Sequence, residues 1–347
     1  MIKRVTALDV AKVAGVSRTT VSFVLNNVEG MRISDETRER VLKAVSELNY
    51  HPDANAIRMA KGKTSIIGFV LRQEADKAYA DLFLPEVMRG ISDVTNKKGY
   101  HILFAPIPPD KKNGGFYELI HERQADGLII SGPLANDEEL IKLHKDGAPI
   151  VLLGKVADSN IPYVDVDNIQ SAKKAVSHLI KLGHKQIAMI TNASEVYTSC
   201  RDRIKGYKAA LEEVNIAFDD SLISIGDRTP ESGYNATKSL LNISPRPTAI
   251  FIASDTVALG CMNALYQNGI RVPEDIAIVG FDDIPLSKFI APPLTTIHLP
   301  AYGLGWGAAN LLVQWLEDQP ISNYKVILET QLIVRESCGS WMQKRQE

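Results

Sequence analysis

From Ile66 onward the chain alternates short apolar runs with amphipathic stretches. The apolar runs at 66–71, 100–105, 127–131, 150–154, 186–191, 222–225, 249–254 and 276–282 predict buried strands. Helical spacing of apolar positions falls between them, at 82–98, 170–182, 203–214 and 256–268. Strands that alternate with helices imply parallel sheets covered on both faces. Eight strands before Asp282 suit two open sheets better than one, with a crossover near 160–162 and a return around 291–297. The expected body, residues 65–338, is therefore α/β, with two doubly wound parallel-sheet lobes. Lobe one would take about 65–161 and 293–322, and lobe two about 162–292 and 323–338. Ligands bind at the carboxyl ends of parallel strands, so a binding cleft is expected between the lobes.

The first fifty residues follow another pattern. Thr6 and Asp9 make a capping box for a helix with Val10, Val13 and Ala14 on one face. Gly15 breaks that helix, and Ser17 caps a second one carrying Val21, Val24 and Leu25. A third follows Ser34 with Val41, Val45 and Leu48. Residues 1–50 thus read as a small all-α helix-turn-helix head, whose second helix enters the major groove of DNA. Arg18, Thr19, Ser22 and Phe23 lie off its apolar stripe. Arg18 can donate two hydrogen bonds to guanine or one to a phosphate, and Thr19, Thr20 and Ser22 suit phosphates or thymine methyl groups. Residues 51–64, from Pro52 to beyond Gly62, hold a helix too short to be stable alone, which reads as a hinge. Met59 is its apolar candidate, either wedged into a minor groove or packed on a neighbouring subunit.

Charge sharpens this division. The 347 residues hold 39 Lys and Arg against 41 Asp and Glu, a net charge of −2 that argues against a nucleic-acid partner. Residues 1–63 alone hold eleven Lys and Arg against seven Asp and Glu, a net +4; the remainder, 28 against 34, carries −6. A basic head that attracts phosphates sits on an acidic body. With 45% hydrophobic and 23% charged residues the chain is not a disordered, collagen-like or coiled-coil protein. Cys200, Cys261 and Cys338 match no metal or redox spacing, and no signal peptide or membrane span is expected, which suits the cytoplasm. The string Gly303-Leu-Gly305-Trp-Gly307 lacks the preceding strand and spacing of a dinucleotide loop. There is no P-loop, the histidines form no metal pair, and no nucleophile has a base nearby in sequence. Neither an enzyme nor a cofactor is expected.

The head resembles the DNA-binding domain of the lactose repressor/galactose repressor family of bacterial transcription regulators. The matching residues are Val5-Thr6, Asp9-Val10-Ala11, Ala14-Gly15-Val16-Ser17, Thr20-Val21-Ser22, Asn26, Ser34, Thr37-Arg38, Leu48-Asn49-Tyr50 and Pro52. Phe23 and Met59 depart from the family pattern, which usually has Arg and Leu there. The resemblance implies a homodimer on a palindromic double-stranded operator. It places DNA contacts at Thr6, Ser17, Arg18, Thr19, Thr20, Ser22, Phe23, Asn26, Tyr50, Asn55 and Met59. The body is similar to the family's effector core, of periplasmic-binding-protein type. Gly280-Phe281-Asp282-Asp283 stands for the family motif in which Asp282 would accept bonds from a ligand, and Arg203 matches the arginine that anchors the effector. Ser254-Asp255 stands where an Asn-Asp pair is common, and Arg228 where several members stack an aromatic ring. Arg72 and Ser131 end strands, and Phe83 would supply an apolar wall or a core contact. Arg72, Lys155, Arg203 and Arg228, if all point into the cleft, would make it cationic and favour a sugar phosphate over a neutral sugar. A few relatives instead take a phosphorylated carrier protein as corepressor.

Overall fold

The computed structural model describes residues 5–26, 31–50, 63–111, 115–321 and 323–343. The chain divides into two units, Met1–Thr64 and Ser65–Glu347. In the first, α1 (Ala7–Ala14) opens on the capping box: the Thr6 amide donates to the Asp9 carboxylate at 2.9 Å and the Asp9 amide to Thr6 Oγ1 at 3.4 Å. Gly15 ends it at φ 68°, a left-handed turn that costs glycine little. Ser17 caps α2 (Arg18–Leu25) and Ser34 caps α3 (Asp35–Glu47). Val10, Ala11, Ala14, Val21, Val24, Val41, Ala44 and Tyr50 form the buried core. Two expectations change here. Val13 is 54% exposed, because so short a helix buries only the edge carrying Val10, Ala11 and Ala14. Tyr50, expected on DNA, lies in the core: the chain reverses at Asn49, φ 46°, and the Tyr50 amide bonds back to Val45 O at 2.9 Å.

The body has two six-stranded sheets. Sheet one holds β1 (Ile66–Leu71), β2 (His101–Pro106), β3 (Gly127–Ser131), β4 (Ile150–Leu153), β5 (Tyr163–Val166) and β11 (Lys325–Leu328). Sheet two holds β6 (Ile187–Ile190), β7 (Ile223–Ser224), β8 (Ala249–Ile252), β9 (Ala277–Asp282), β10 (Thr295–His298) and β12 (Gln331–Ile333). Their orders are β11-β5-β4-β3-β1-β2 and β12-β10-β9-β8-β6-β7. Every pairing is parallel except β10 with the edge strand β12. Lobe one adds α4 (Ala75–Ala80), α5 (Leu84–Lys98), α6 (Gly115–His121) and α7 (Glu138–Lys145). Lobe two adds α8 (Asn168–Lys181), α9 (Thr198–Glu212), α10 (Pro230–Leu240) and α11 (Asp255–Gln267). The chain then returns to lobe one through α12 (Ala301–Leu316) and ends at α13 (Ser340–Gln343).

The crossings fall after Val166, after His298 and after Leu328, each a few residues later than the expected 160–162, 291–297 and 322. Four short strands account for the difference. Tyr163-Val-Asp-Val, Thr295-Thr-Ile-His, Lys325-Val-Ile-Leu and Gln331-Leu-Ile mix polar and apolar residues, and β11 pairs with β5, far back in the chain. The Gly303–Gly307 string lies inside α12, against α5. A β-carbon on Gly305 would stand 2.1 Å from Val87 O, so the glycine exists for backbone contact. Among the described residues no helix is long and apolar enough to cross a membrane.

Candidate functional site

On α2 of the head, Arg18, Thr19 and Ser22 are exposed, while Thr20 and Phe23 are half-buried. The hydroxyls of Ser17 and Thr20 lie 2.9 Å apart, and Asn26 Nδ2 donates to Ser22 O at 2.9 Å and to Ser22 Oγ at 3.2 Å. Thr6, Ser17, Thr20 and Asn26 therefore already hold the helix ends. Arg18 and Thr19 project from the first turn, the part of a recognition helix that reaches base edges. Asn55 and Met59 lie outside the described residues.

In the body, the carboxyl ends of the parallel strands converge on one cavity. Lobe one lines it with Arg72 and Gln73 after β1, Ser131 at the end of β3, Gly154 after β4 and Asp165 on β5. Asp81 and Phe83, before α5, complete that wall. Lobe two contributes Asn192 after β6, Arg203 on α9, Arg228 before α10, Ser254 after β8 and Asp282 at the end of β9. The lobes touch beside it. The Ala135 amide donates to Val196 O at 2.8 Å, the Tyr197 hydroxyl donates to Arg72 O at 2.7 Å, and Lys77 pairs with Asp227 at 3.0 Å.

Arg203 is held on every side. Its Nε donates to Asn168 Oδ1 at 3.0 Å, one terminal nitrogen donates to Ala253 O at 2.5 Å, and the guanidinium lies 3.8 Å over the Phe281 ring. The same nitrogen stands 3.9 Å from Asp282. Burial pushes the arginine below its ordinary value, opposed by Asp282. Burial also lifts Asp282 well above the usual carboxylate range, against the pull of Arg203. Asp282 sits at φ 116° and Asp283 at φ 58°, backbone that is costly for any side chain and recurs where a strand end must aim a group at a ligand. Burial raises Asp81, and lifts Asp165 to about 6 although the Val166 amide and Asn168 Nδ2 donate to it at 2.8 and 3.1 Å.

The structure brings seven of the eight candidates together: Arg72, Phe83, Ser131, Arg203, Arg228, Ser254 and Asp282. Phe83 serves both readings, since it faces the cavity and packs against the core. Asp255 is not among them. It is fully buried and accepts from the Phe281 amide at 2.8 Å, the Ile284 amide at 3.2 Å, Ser287 Oγ at 2.5 Å and Thr296 Oγ1 at 2.7 Å. Four donors leave it no lone pair for a ligand, so it braces the backbone that carries Asp282.

The cationic cleft is also corrected. The two terminal nitrogens of Arg72 are taken by Asp137 at 2.9 Å and Glu139 at 3.3 Å, while its buried Nε has no partner, and Lys155 turns to Asp202 at 3.1 Å. Arg203 and Arg228 then face three carboxylates, Asp81, Asp165 and Asp282. Sequence reasoning missed Gln73, Asp81, Asp165, Asn168 and Asn192. A polar residue just beyond an apolar run was the available signal for Gln73 and Asn192; Asp165 sits inside a strand that was itself missed.

Residues 6–53 match the model for bacterial regulatory proteins of the lacI family, and residues 176–338 match a periplasmic binding protein-like domain. The HTH-type transcriptional regulator CelR of Thermobifida fusca is 32% identical over 348 residues, covering 96% of this chain and 98% of that protein. A solved CelR–cellobiose complex matches with a TM-score of 0.72 at 31% identity, over 96% of this chain and all of that one. The Lac repressor dimer bound to operator and the anti-inducer ONPF matches with a TM-score of 0.81 at 29% identity, over 97% and 99%. A helix-turn-helix head and a two-lobed body with a strand-end cleft, matched over nearly the whole length of such relatives, place this chain in the lacI family of bacterial DNA-binding transcription regulators.

Proposed function

We propose that the protein is a cytoplasmic homodimeric repressor that grips a palindromic operator and takes a small uncharged sugar in its interlobe cleft. The charge balance of the cavity carries the effector reading. Asp81, Asp165 and Asp282, whose carboxyls burial raises, accept hydrogen bonds when ionised and donate one when protonated, whereas Arg203 and Arg228 can only donate. A ligand that satisfies both must donate and accept at neighbouring positions, as hydroxyls do. A phosphate would instead face three carboxylates with two arginines to balance them, one already engaged. The similar CelR structure is a complex with cellobiose, and the similar Lac repressor structure is a dimer on operator.

Calorimetry of the full chain with neutral sugars and their phosphates tests the reading. Neutral sugars are expected to bind more tightly than their phosphates, and the bound sugar should change the protein's affinity for operator. Tighter binding of the phosphates would overturn the charge argument.

A further inference from the structure

Several polar side chains around α2 are already engaged within the head. The hydroxyls of Ser17 and Thr20 bond to each other, and Asn26 donates to Ser22 O and Oγ. Thr19 and Phe23 stand four residues apart, hence on one helix face, with Arg18 and Ser22 beside them. Phe23 is half-buried, yet it is not among the half-buried apolar residues, such as Val16, Leu25 and Leu48, that pack against the core of the head. On a face that otherwise offers a guanidinium and hydroxyls, its ring brings neither a donor nor an acceptor.

We propose that Phe23 reads thymine in each operator half-site, its ring packed on the C5-methyl group in the major groove. This rests on the reading of the head as an operator-binding domain and of α2 as its recognition helix. Every base pair presents donors and acceptors along the major groove, but a methyl group stands there only on thymine. A ring laid on the polar edge of guanine, cytosine or adenine would desolvate that edge without returning a hydrogen bond. Against the methyl group it removes apolar surface from water on both sides. Arg18, the cation on the same face, suits guanine. The two residues thus divide the half-site between a charge-assisted bond and an apolar contact.

The probe is a library of random-sequence duplexes, from which the full-length protein selects its operator with and without glucose, ribose and cellobiose. Each thymine of the selected half-site is then replaced by uracil, which lacks only the methyl group, in both half-sites at once. At the position that Phe23 faces, wild-type affinity should fall about tenfold or more, from about fourfold per methyl contact in each half-site. There 5-methylcytosine should bind more tightly than cytosine. Phe23→Ala should be indifferent to both changes and should melt no lower than wild type. Phe23→Arg should select guanine at that position in place of thymine. Uracil accepted everywhere, or 5-methylcytosine bound no better than cytosine, would overturn the proposal while leaving operator binding intact. A uracil penalty that persists in Phe23→Ala would move the methyl contact to a threonine and overturn it too, as would thymine retained there by Phe23→Arg. A lower melting temperature of Phe23→Ala would assign the ring to the fold. If the wild type selects no sequence, the reading of the head falls and the proposal with it.

Discussion

The head and the cleft solve opposite problems. On α2 the candidate contacts come from one turn of helix, stand exposed, and are held by caps within three or four residues. The cleft collects side chains from residue 72 to residue 282, buries them, and gives most of them a partner far away in sequence. Exposed charge is cheap to hold, so a surface residue is free to follow the ligand alone. A buried charge must be answered by another group, so its role depends on what the fold sets beside it. Arg18 and Arg72 show the contrast: the first projects into solvent, whereas the second gives both terminal nitrogens to Asp137 and Glu139.

The sharpest way to break this contrast is Asp255→Asn. The amide would turn one donor toward groups that now donate to the carboxylate, leaving buried N–H and O–H groups unpaired. The expected loss is about 3–5 kcal/mol of folding stability, read by denaturant unfolding of the body. A change below about 1 kcal/mol would mean that the cleft does not depend on this brace.

Asp165 gives a smaller effect with a pH signature. Burial lifts its folded value from 3.8 to about 6. The folded state thus holds the proton more tightly than the unfolded chain does. Its protonated form stabilises fully below about pH 4, and that contribution is lost as pH rises through 6. Asp165→Asn removes the dependence. The stability of the variant relative to wild type should therefore rise between pH 4 and pH 7, by on the order of 2–3 kcal/mol. Parallel stability curves would show that this carboxylate titrates normally.

Arg18→Ala tests the exposed side. It should change base preference at one position per operator half-site, worth about 1–3 kcal/mol, without altering the melting of the head. A uniform loss of affinity across operator sequences would make Arg18 a phosphate contact instead.

Much of this was legible in the chain. The capping signals of Thr6, Ser17 and Ser34 act over three residues, so they can be read locally, and they place all three helices of the head. Strands buried on both faces announce themselves as continuous apolar runs, as at Ile66–Leu71 and Gly127–Ser131. The strands beside the lobe crossings did not, since they are only three or four residues long and polar residues interrupt or flank their apolar ones. Asp255 and Asp282 follow apolar runs in the same way and look alike in sequence, yet one is a brace and the other faces the cavity.

The sequence by itself determined the helix-turn-helix, eight of the twelve strands among the described residues and several of the polar residues at their ends, because caps and hydrophobic periodicity act within a few positions. Only the tertiary structure decided which of those strand-end groups remain available to a ligand. Arg72, Lys155 and Asp255 were withdrawn by partners up to 67 residues away. The physical reason is that burial forces polar groups to pair, and pairing is settled by distance in space.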